Sequence, residues 1–430
     1  MCAFRAVWAL PDRYGEVHMP LIRPFAGLRP SAGFAPQVLA PPYDVVTTAE
    51  ARVRAQGRPW SFLHISRPEI DLPPGTDPYA PEVYRKGREN FLNQIAAGVL
   101  VRDPAPCYYL YRLVMGSHVQ TGLVAAASVA AYEIQRIRRH EYTRPDKEDD
   151  RVRQIEALDA QTGPVFLTYR RRAAIDGVVA AVTASPPAVD ITADDGVRHS
   201  LWVVGGQDAI GLLTAEFEAA GSLYIADGHH RCAAAARVAA ARRAGGVSGQ
   251  DHAWEYFLAV IFPDSQMQIL PYNRVVRDLN GLTPDAFLGR VAADFEVHPA
   301  SGAVTPARAG EFGMYCAGRW HRLAIRAGRV PAGDPVHRLD VSLLADFLLA
   351  PVLGITDPRR DQRIDFVGGI RGLGELEQRV DRGEMAVAFS MFPTALSDLM
   401  AVADAGQVMP PKSTWFEPKL ADGLVSQPLD

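Results

Sequence analysis

Apolar residues fall along this chain in two rhythms, one of period two and one near 3.6, and they interleave without a regular strand-helix-strand beat. Two pairs of strand-like runs are joined by very short links. Cys107–Met115 and His118–Val129 flank Gly116-Ser117, and Glu311–Cys316 and Trp320–Ile325 flank Ala317-Gly318-Arg319, so each pair predicts an antiparallel hairpin. Helical spacing is clearest over Pro81–Ala97, Ala209–Ala220, His230–Ala244, Asp340–Leu349 and Thr394–Asp404. Segments rich in proline and glycine at Asp71–Pro81, Ser185–Ala188 and Thr305–Gly310 read as loops or linkers. The pattern predicts an α+β protein with mixed sheets and hairpins. It divides into an N-terminal α/β unit over 1–128, a central unit over 129–280 and a C-terminal α+β unit over 281–430.

Composition narrows the classes of function. With 430 residues, 48% apolar and 22% charged, the chain can bury a large core. A net charge of −4 and a pI near 6.3 argue against a dedicated nucleic-acid binder, for which a basic face is expected. The four cysteines, Cys2, Cys107, Cys232 and Cys316, are far apart and form no CxxC pair, so neither a zinc site nor a disulfide framework is indicated. No long apolar run follows a basic start, and none is long enough to span a bilayer. The expectation is a cytoplasmic protein without a membrane or nucleic-acid partner; whether it forms a homo-oligomer is left open.

The densest chemistry lies in Leu223-Tyr224-Ile225-Ala226-Asp227-Gly228-His229-His230-Arg231, an apolar strand that stops at Asp-Gly and passes into an Ala-rich helix. Gly228 permits close approach of backbone to a ligand, Asp227 is a candidate helix cap, and first-turn N–H groups attract an anion. Arg231 and the helix dipole favour a polyphosphate. The plainer reading is a pair of histidines filling a buried corner. Two imidazoles, a guanidinium and an Asp-Gly turn together favour the phosphate site. A shared metal ion on His229 and His230 is disfavoured, because helix neighbours point about 100° apart.

Four other segments are rich in polar groups. Arg136–Arg144 and the charge run Lys147–Arg153 suit either a base beside an anion site or a solvated helix start. Met409–Lys419 offers Lys412, Ser413 and Thr414 as a grip for a carboxylate or phosphate, or else a packed tail. Ala40–Val45 (APPYDV) reads as a stiff turn, with Tyr43, Asp44, Arg23 and His64 as groups that would border a site. Val367–Gly374 lacks both the Gly-Lys-Ser/Thr ending and the G-x-G-x-x-G order, so it reads as a glycine-rich strand-to-helix turn.

Six strings carry a resemblance over nearly the full length: APPYDVV (Ala40–Val46), RHEYT (Arg139–Thr143), TGPVFLTYR (Thr162–Arg170), YIADGHHR (Tyr224–Arg231), RIDFVGGIRG (Arg363–Gly372) and MPPKSTWFEPKL (Met409–Leu420). On these the chain is identified as a member of a large prokaryotic family of unknown function that is often labelled ParB-like. More distantly it resembles the free serine kinases with a ParB/sulfiredoxin-like fold. Those carry a His-Glu element, a strand ending in Val-Asp-Gly-His-His-Arg, and a C-terminal Pro-Lys-Thr-Thr element. Here the same order is His140-Glu141, then Ala226 to Arg231, then Pro411-Lys412-Ser413-Thr414.

The resemblance implies a ParB/sulfiredoxin-like nucleotide-binding core within the central unit and a small-molecule kinase. Phosphate would pass from ATP or ADP to the hydroxyl of a free amino acid, L-serine first among acceptors. Glu141 would be the base, and Asp227, Gly228, His229, His230 and Arg231 the phosphate cradle, with Asp227, His229 and His230 acting in catalysis. Mg²⁺ would sit on Asp227, and His140, Lys412, Ser413 and Thr414 would hold the substrate. Phosphoryl transfer asks mainly for orientation and charge neutralisation, which such parts supply. The sequence departs from those kinases in a longer span from Glu141 to Asp227, an added N-terminal region, and Trp415-Phe416 after Thr414. A sulfiredoxin-like reductase would need a cysteine where His229 stands. A ParB-like DNA binder would need a helix-turn-helix, which is missing. A non-catalytic regulatory nucleotide-binding protein would use the same cradle without Glu141.

Overall fold

The computed structural model describes residues 20–246 and 251–430. Cys2 and the N-terminal stretch on which the leader expectation rests lie outside them. The architecture is mixed α+β, built around two large sheets.

The larger sheet has nine strands. From one edge they run Ile137–Arg138, Leu223–Asp227, Val165–Tyr169, Tyr256–Pro263, His118–Ser128, Tyr108–Met115, Arg198–Val204 and Val189–Thr192, and Ile22–Arg23 also pairs with His118–Ser128. Two pairings are parallel, Leu223–Asp227 with Ile137–Arg138 and Tyr256–Pro263 with Val165–Tyr169; the rest are antiparallel. Strands from both sides of residue 128 therefore share one ladder. Along His118–Ser128 successive residues enter different cores: Leu123, Ala125 and Ala127 pack against the helices, while Val124 and Ala126 face the second sheet. Burial on both faces explains why Leu123–Ala127 is an unbroken apolar run, without polar alternation.

The second sheet is antiparallel throughout and orders Phe295–Ala300, Arg319–Ile325, Glu311–Cys316, Val387–Met391, Tyr272–Val276 and Ile364–Gly368. Its Phe312 and Phe389 are fully buried in the cluster that also holds Tyr109 and Phe262 of the first sheet, so one apolar core joins the two. Each such aromatic contributes roughly 1.5–3 kcal/mol by leaving water.

Both predicted hairpins form. Met115 pairs with His118 across Gly116-Ser117, with Gly116 at positive φ. Cys316 pairs with Arg319, one residue earlier than predicted, because Ala317 and Gly318 both take positive φ and close a two-residue turn. The predicted helices appear as Pro81–Ala96, Gln207–Ala220, His229–Ala244, Asp340–Leu344 with a π-helical continuation Ala345–Leu349, and Leu396–Asp404. The charge run Lys147–Arg153 belongs to helix Pro145–Leu158, which buries Asp150, Gln154, Ile155 and Leu158. Cys107, Cys232 and Cys316 are buried thiols without disulfides. No helix among the described residues is long and apolar enough to cross a membrane.

Candidate functional site

The strand Leu223–Asp227 ends in a bulge. Ile225 and Asp227 pair with the successive residues Leu167 and Phe166, so Ala226 is extra. A bulge re-aims the side chains that follow it. Asp227 consequently turns into a cavity of about 740 Å³, together with Ala226, His140 and Glu141. Gly228 follows at φ 97°, where a side chain is strained, and a Cβ there would meet the Cα of Val165 at 3.4 Å.

One expectation is corrected at this junction. Asp227 does not cap the helix His229–Ala244; the cap position is Gly228, with no side-chain capping bond. Instead Asp227 Oδ1 accepts from the Gly228 N–H at 2.8 Å, and Oδ2 lies 3.0 Å from Nζ of Lys419, 192 positions away. Burial alone would raise this carboxyl, but the ammonium of Lys419 and the guanidinium of Arg231 hold it well below the usual carboxylate range. Lys419 rises for the reciprocal reason, since its desolvation is outweighed by Asp227.

His140 and Glu141 follow the short strand Ile137–Arg138, which pairs parallel to the start of Leu223–Asp227 and so brings position 140 beside 229. The backbone N–H of His140 donates to Nε2 of His229 at 3.4 Å, and the two rings meet edge to face with centroids 4.5 Å apart. Both imidazoles are buried, at 3% and 4% exposure. Burial depresses His140 to about 4, and burial followed by repulsion from His140 puts His229 well below the ordinary value, so both rings are neutral. Nδ1 of His229 faces Oε2 of Glu141 at 3.9 Å. The Glu141 side chain is about half exposed (47%), and burial followed by the nearby Asp227 charge raises its carboxyl, against the pull of Lys412.

His230 goes elsewhere. Its Nε2 accepts from the Arg144 N–H at 3.1 Å, so it secures the loop before Pro145–Leu158 and does not line the cavity. Arg231 also turns away from the cavity lining. Its Nη1 donates to the Pro164 carbonyl at 2.6 Å, its Nη2 lies 3.5 Å from Asp44, and its guanidinium stands over the Tyr43 ring at 5.3 Å. A Cβ on Gly163 would come within 3.3 Å of this guanidinium, which gives the Thr162-Gly163-Pro164 string its physical purpose. The Arg151 guanidinium also stands over the Tyr43 ring, at 3.8 Å, and Asp422 is buried nearby with Oδ1 unpartnered among the described residues. Of the groups expected to border the site, Asp44 lines the cavity. Arg23 pairs with Asp251, and His64 bonds Asp71 beside a separate, smaller cavity.

The C-terminal tail closes the opposite side. Met409 N–H donates to the His140 carbonyl at 2.8 Å, which ties the tail directly to the His-Glu element. Lys412, Ser413 and Thr414 all line the cavity. Lys412 takes positive φ; its carbonyl accepts from Arg274 at 2.9 Å, and its ammonium lies 5.6 Å from the Tyr272 ring. Ser413 is buried and donates its hydroxyl to the Pro410 carbonyl at 2.5 Å, so Thr414 is the less committed of the two hydroxyls. The glycine-rich segment is a strand-to-helix turn, as its sequence predicts: strand Ile364–Gly368, a 3₁₀ turn Gly369–Arg371, then helix Gly374–Asp381. A Cβ on Gly368 would touch the Trp415 ring at 3.0 Å, and one on Gly369 would fall 2.8 Å from the Pro271 carbonyl. Gly368 lets the turn press against the tail and Gly369 lets it press against Pro271, and Ile370 and Arg371 reach the cavity.

Sequence reasoning passed over Lys419, Arg54 and Arg371. Lys419 lies inside the tail string quoted above, but its partner Asp227 is 192 positions away and no local pattern marks the pair. Arg54, on helix Thr48–Ala55, Arg371 and Lys412 are exposed, line the cavity and form no ion pair among the described residues.

As the seat of Mg²⁺, Asp227 does not fit alone. Both its oxygens are engaged, one of them by an ammonium group, and among the described residues it joins no group of three clustered ligand residues. The group among the described residues whose donor atoms cluster is His140, Glu141 and His229, within 4.8 Å of one another.

The family described as protein of unknown function (DUF1015) matches residues 22–342. No curated protein matches the chain. Among solved structures it is similar to a C-terminally truncated SbnI from Staphylococcus aureus, at 12% identity and TM-score 0.37, over 69% of this chain and 84% of that one. It is also similar to a free serine kinase in complex with AMP, at 13% identity and TM-score 0.32 over 70% and 92%, and to a conserved hypothetical protein from Pyrococcus furiosus, at 14% identity and TM-score 0.32 over 70% and 94%.

Proposed function

We propose that this chain, which belongs to the DUF1015 family, is a phosphotransferase that moves a phosphoryl group from ATP or ADP to the hydroxyl of a free amino acid, with L-serine as the acceptor. The observation that carries the reading is convergence: Glu141, Asp227 and Lys412 to Thr414, remote in sequence, line one cavity. In this reading residues 129–280 form a ParB/sulfiredoxin-like nucleotide core in a cytoplasmic enzyme, and the flanking units complete the pocket.

The acceptor hydroxyl attacks phosphorus as the bond from phosphorus to the leaving phosphate oxygen breaks, and the nucleotide departs one phosphate shorter. The hydroxyl proton passes late to the Glu141 carboxylate, because a primary alcohol is far too weak an acid to ionise beforehand. His229 stands behind Glu141, its buried, neutral ring 3.9 Å from the carboxylate. Lys412 pairs with the amino-acid carboxylate, Thr414 hydrogen-bonds the substrate, and His140 walls the acceptor end. Arg54 and Arg371 at the cavity wall attract the polyphosphate, and the positive end of helix His229–Ala244 adds to that field. Arg231 acts at one remove, holding the Tyr43-Asp44 wall and the Gly163-Pro164 turn. Mg²⁺ bound with the nucleotide would neutralise phosphate charge.

The test is direct. Folded full-length protein with Mg²⁺, L-serine and either ATP or ADP is expected to yield O-phosphoserine, whereas nucleotide binding without amino-acid-dependent turnover would establish the regulatory reading in its place.

A further inference from the structure

We infer that His140, Glu141 and His229 form a site for one divalent transition-metal ion of the Zn²⁺ or Co²⁺ kind, and that its occupancy withdraws Glu141 from any role as a base. This goes beyond the phosphotransfer reading, and capture of the ion requires no nucleotide.

Three observations support it. A ring nitrogen of each histidine and a carboxylate oxygen of Glu141 lie within 4.8 Å of one another, so side-chain movements of about an ångström bring them to the 2.0–2.2 Å reach of such an ion. Nδ1 of His140 is wholly buried and has no hydrogen-bond partner among the described residues. A buried ring nitrogen without a partner is costly, and in the tautomer that leaves its lone pair free a cation satisfies it. The fixed parts are rigid: His140 is held through its own carbonyl by Met409 N–H, and His229 stands in the first turn of a 16-residue helix behind Gly228.

The donor set also selects the ion. Two imidazoles and one carboxylate suit a borderline metal, while Mg²⁺ prefers oxygen ligands in octahedral array. Three protein ligands leave a fourth position open toward the cavity, where water or a small anion binds. The weakest bond in the cluster is the 3.4 Å contact from His140 N–H to His229 Nε2, and it is the one that metal capture is free to break.

The experiment uses chelator-stripped full-length protein titrated with Co²⁺ in the absence of nucleotide, followed by its ligand-field absorption. One equivalent is expected to bind with the spectrum of nitrogen and oxygen ligation, to be displaced by Zn²⁺, and to resist a large excess of Mg²⁺. Glu141→Gln, a half-exposed change that leaves the core intact, is expected to weaken Co²⁺ by about tenfold or more, and His229→Ala to abolish the signal. Zn²⁺ should raise the thermal midpoint of the parent protein and leave that of His229→Ala unmoved. The inference is overturned by a featureless titration, by equal Co²⁺ affinity in the parent and both variants, or by displacement at equimolar Mg²⁺. Each of these readouts is independent of phosphoserine formation, so failure here and failure of the kinase reading are separable.

Discussion

The two walls of the cavity are built differently. On the sheet side most groups are held by fixed partners: Asp227 between Gly228 N–H and Lys419, and His140 by the tail through its carbonyl, while half-exposed Glu141 stands 3.9 Å from His229. On the outer side Arg54, Arg371 and Lys412 are exposed and unpaired among the described residues. The contrast separates two demands. Proton transfer needs placement to a fraction of an ångström, which main-chain bonds supply. Attraction of a polyphosphate needs charge at a distance, which long mobile side chains supply at low cost.

If that division is right, the largest effect belongs to the locked wall. Glu141→Gln is expected to lower phosphoserine formation by about 10²–10⁴-fold while nucleotide affinity, measured by calorimetry, stays within about twofold. Next comes a buried acid of the tail, Asp422, which does not line the cavity. Burial pushes Asp422 up to about 7, despite Arg231 close by. Its folded-state value lies above the unfolded 3.8, so the folded protein holds the proton between those limits, and stability falls as pH rises from about 4 to 7. Asp340, remote from the cavity and also raised to about 7 by burial, adds a slope of the same sign. Denaturant melts of Asp422→Asn should therefore show a flatter profile across that window than the parent, and an unchanged slope would break the assignment.

The strained turn follows. Gly228→Ala places a methyl group at φ 97° and is expected to cost roughly 1–2 kcal/mol by denaturant titration. His230 sharpens the comparison from within the same helix. His230→Ala loses the bond to Arg144 N–H, costs about 1 kcal/mol, and leaves transfer intact, whereas His229→Ala impairs it. Smallest is the outer wall. Arg371→Ala or Arg54→Ala should weaken nucleotide binding several-fold at low salt, and the difference should shrink as ionic strength rises.

How much of this the residues disclose in advance depends on range. The hairpins around Gly116 and Gly318 are legible because loop length and turn residues are local. The Asp227–Arg231 run is legible as a site, yet its members part company: the bulge at Ala226 and the helical advance send Asp227 inward, His230 toward Arg144 and Arg231 toward Asp44. Such divergence depends on the partner strand's register, which no local pattern carries. The Lys419 to Asp227 pair spans 192 positions and was invisible for the same reason. Gly368 and Gly369 were legible as a turn, but their use as a seat for Trp415 and Pro271 required the packed tail.

A structure with a non-hydrolysable nucleotide and L-serine bound tests the account most directly. It should place the serine hydroxyl about 2.6–3.2 Å from the Glu141 carboxylate, with the terminal phosphate beyond it and the polyphosphate toward Arg54 and Arg371. Nucleotide bound outside this cavity, or a serine hydroxyl turned away from Glu141 with the phosphates on its far side, would contradict it.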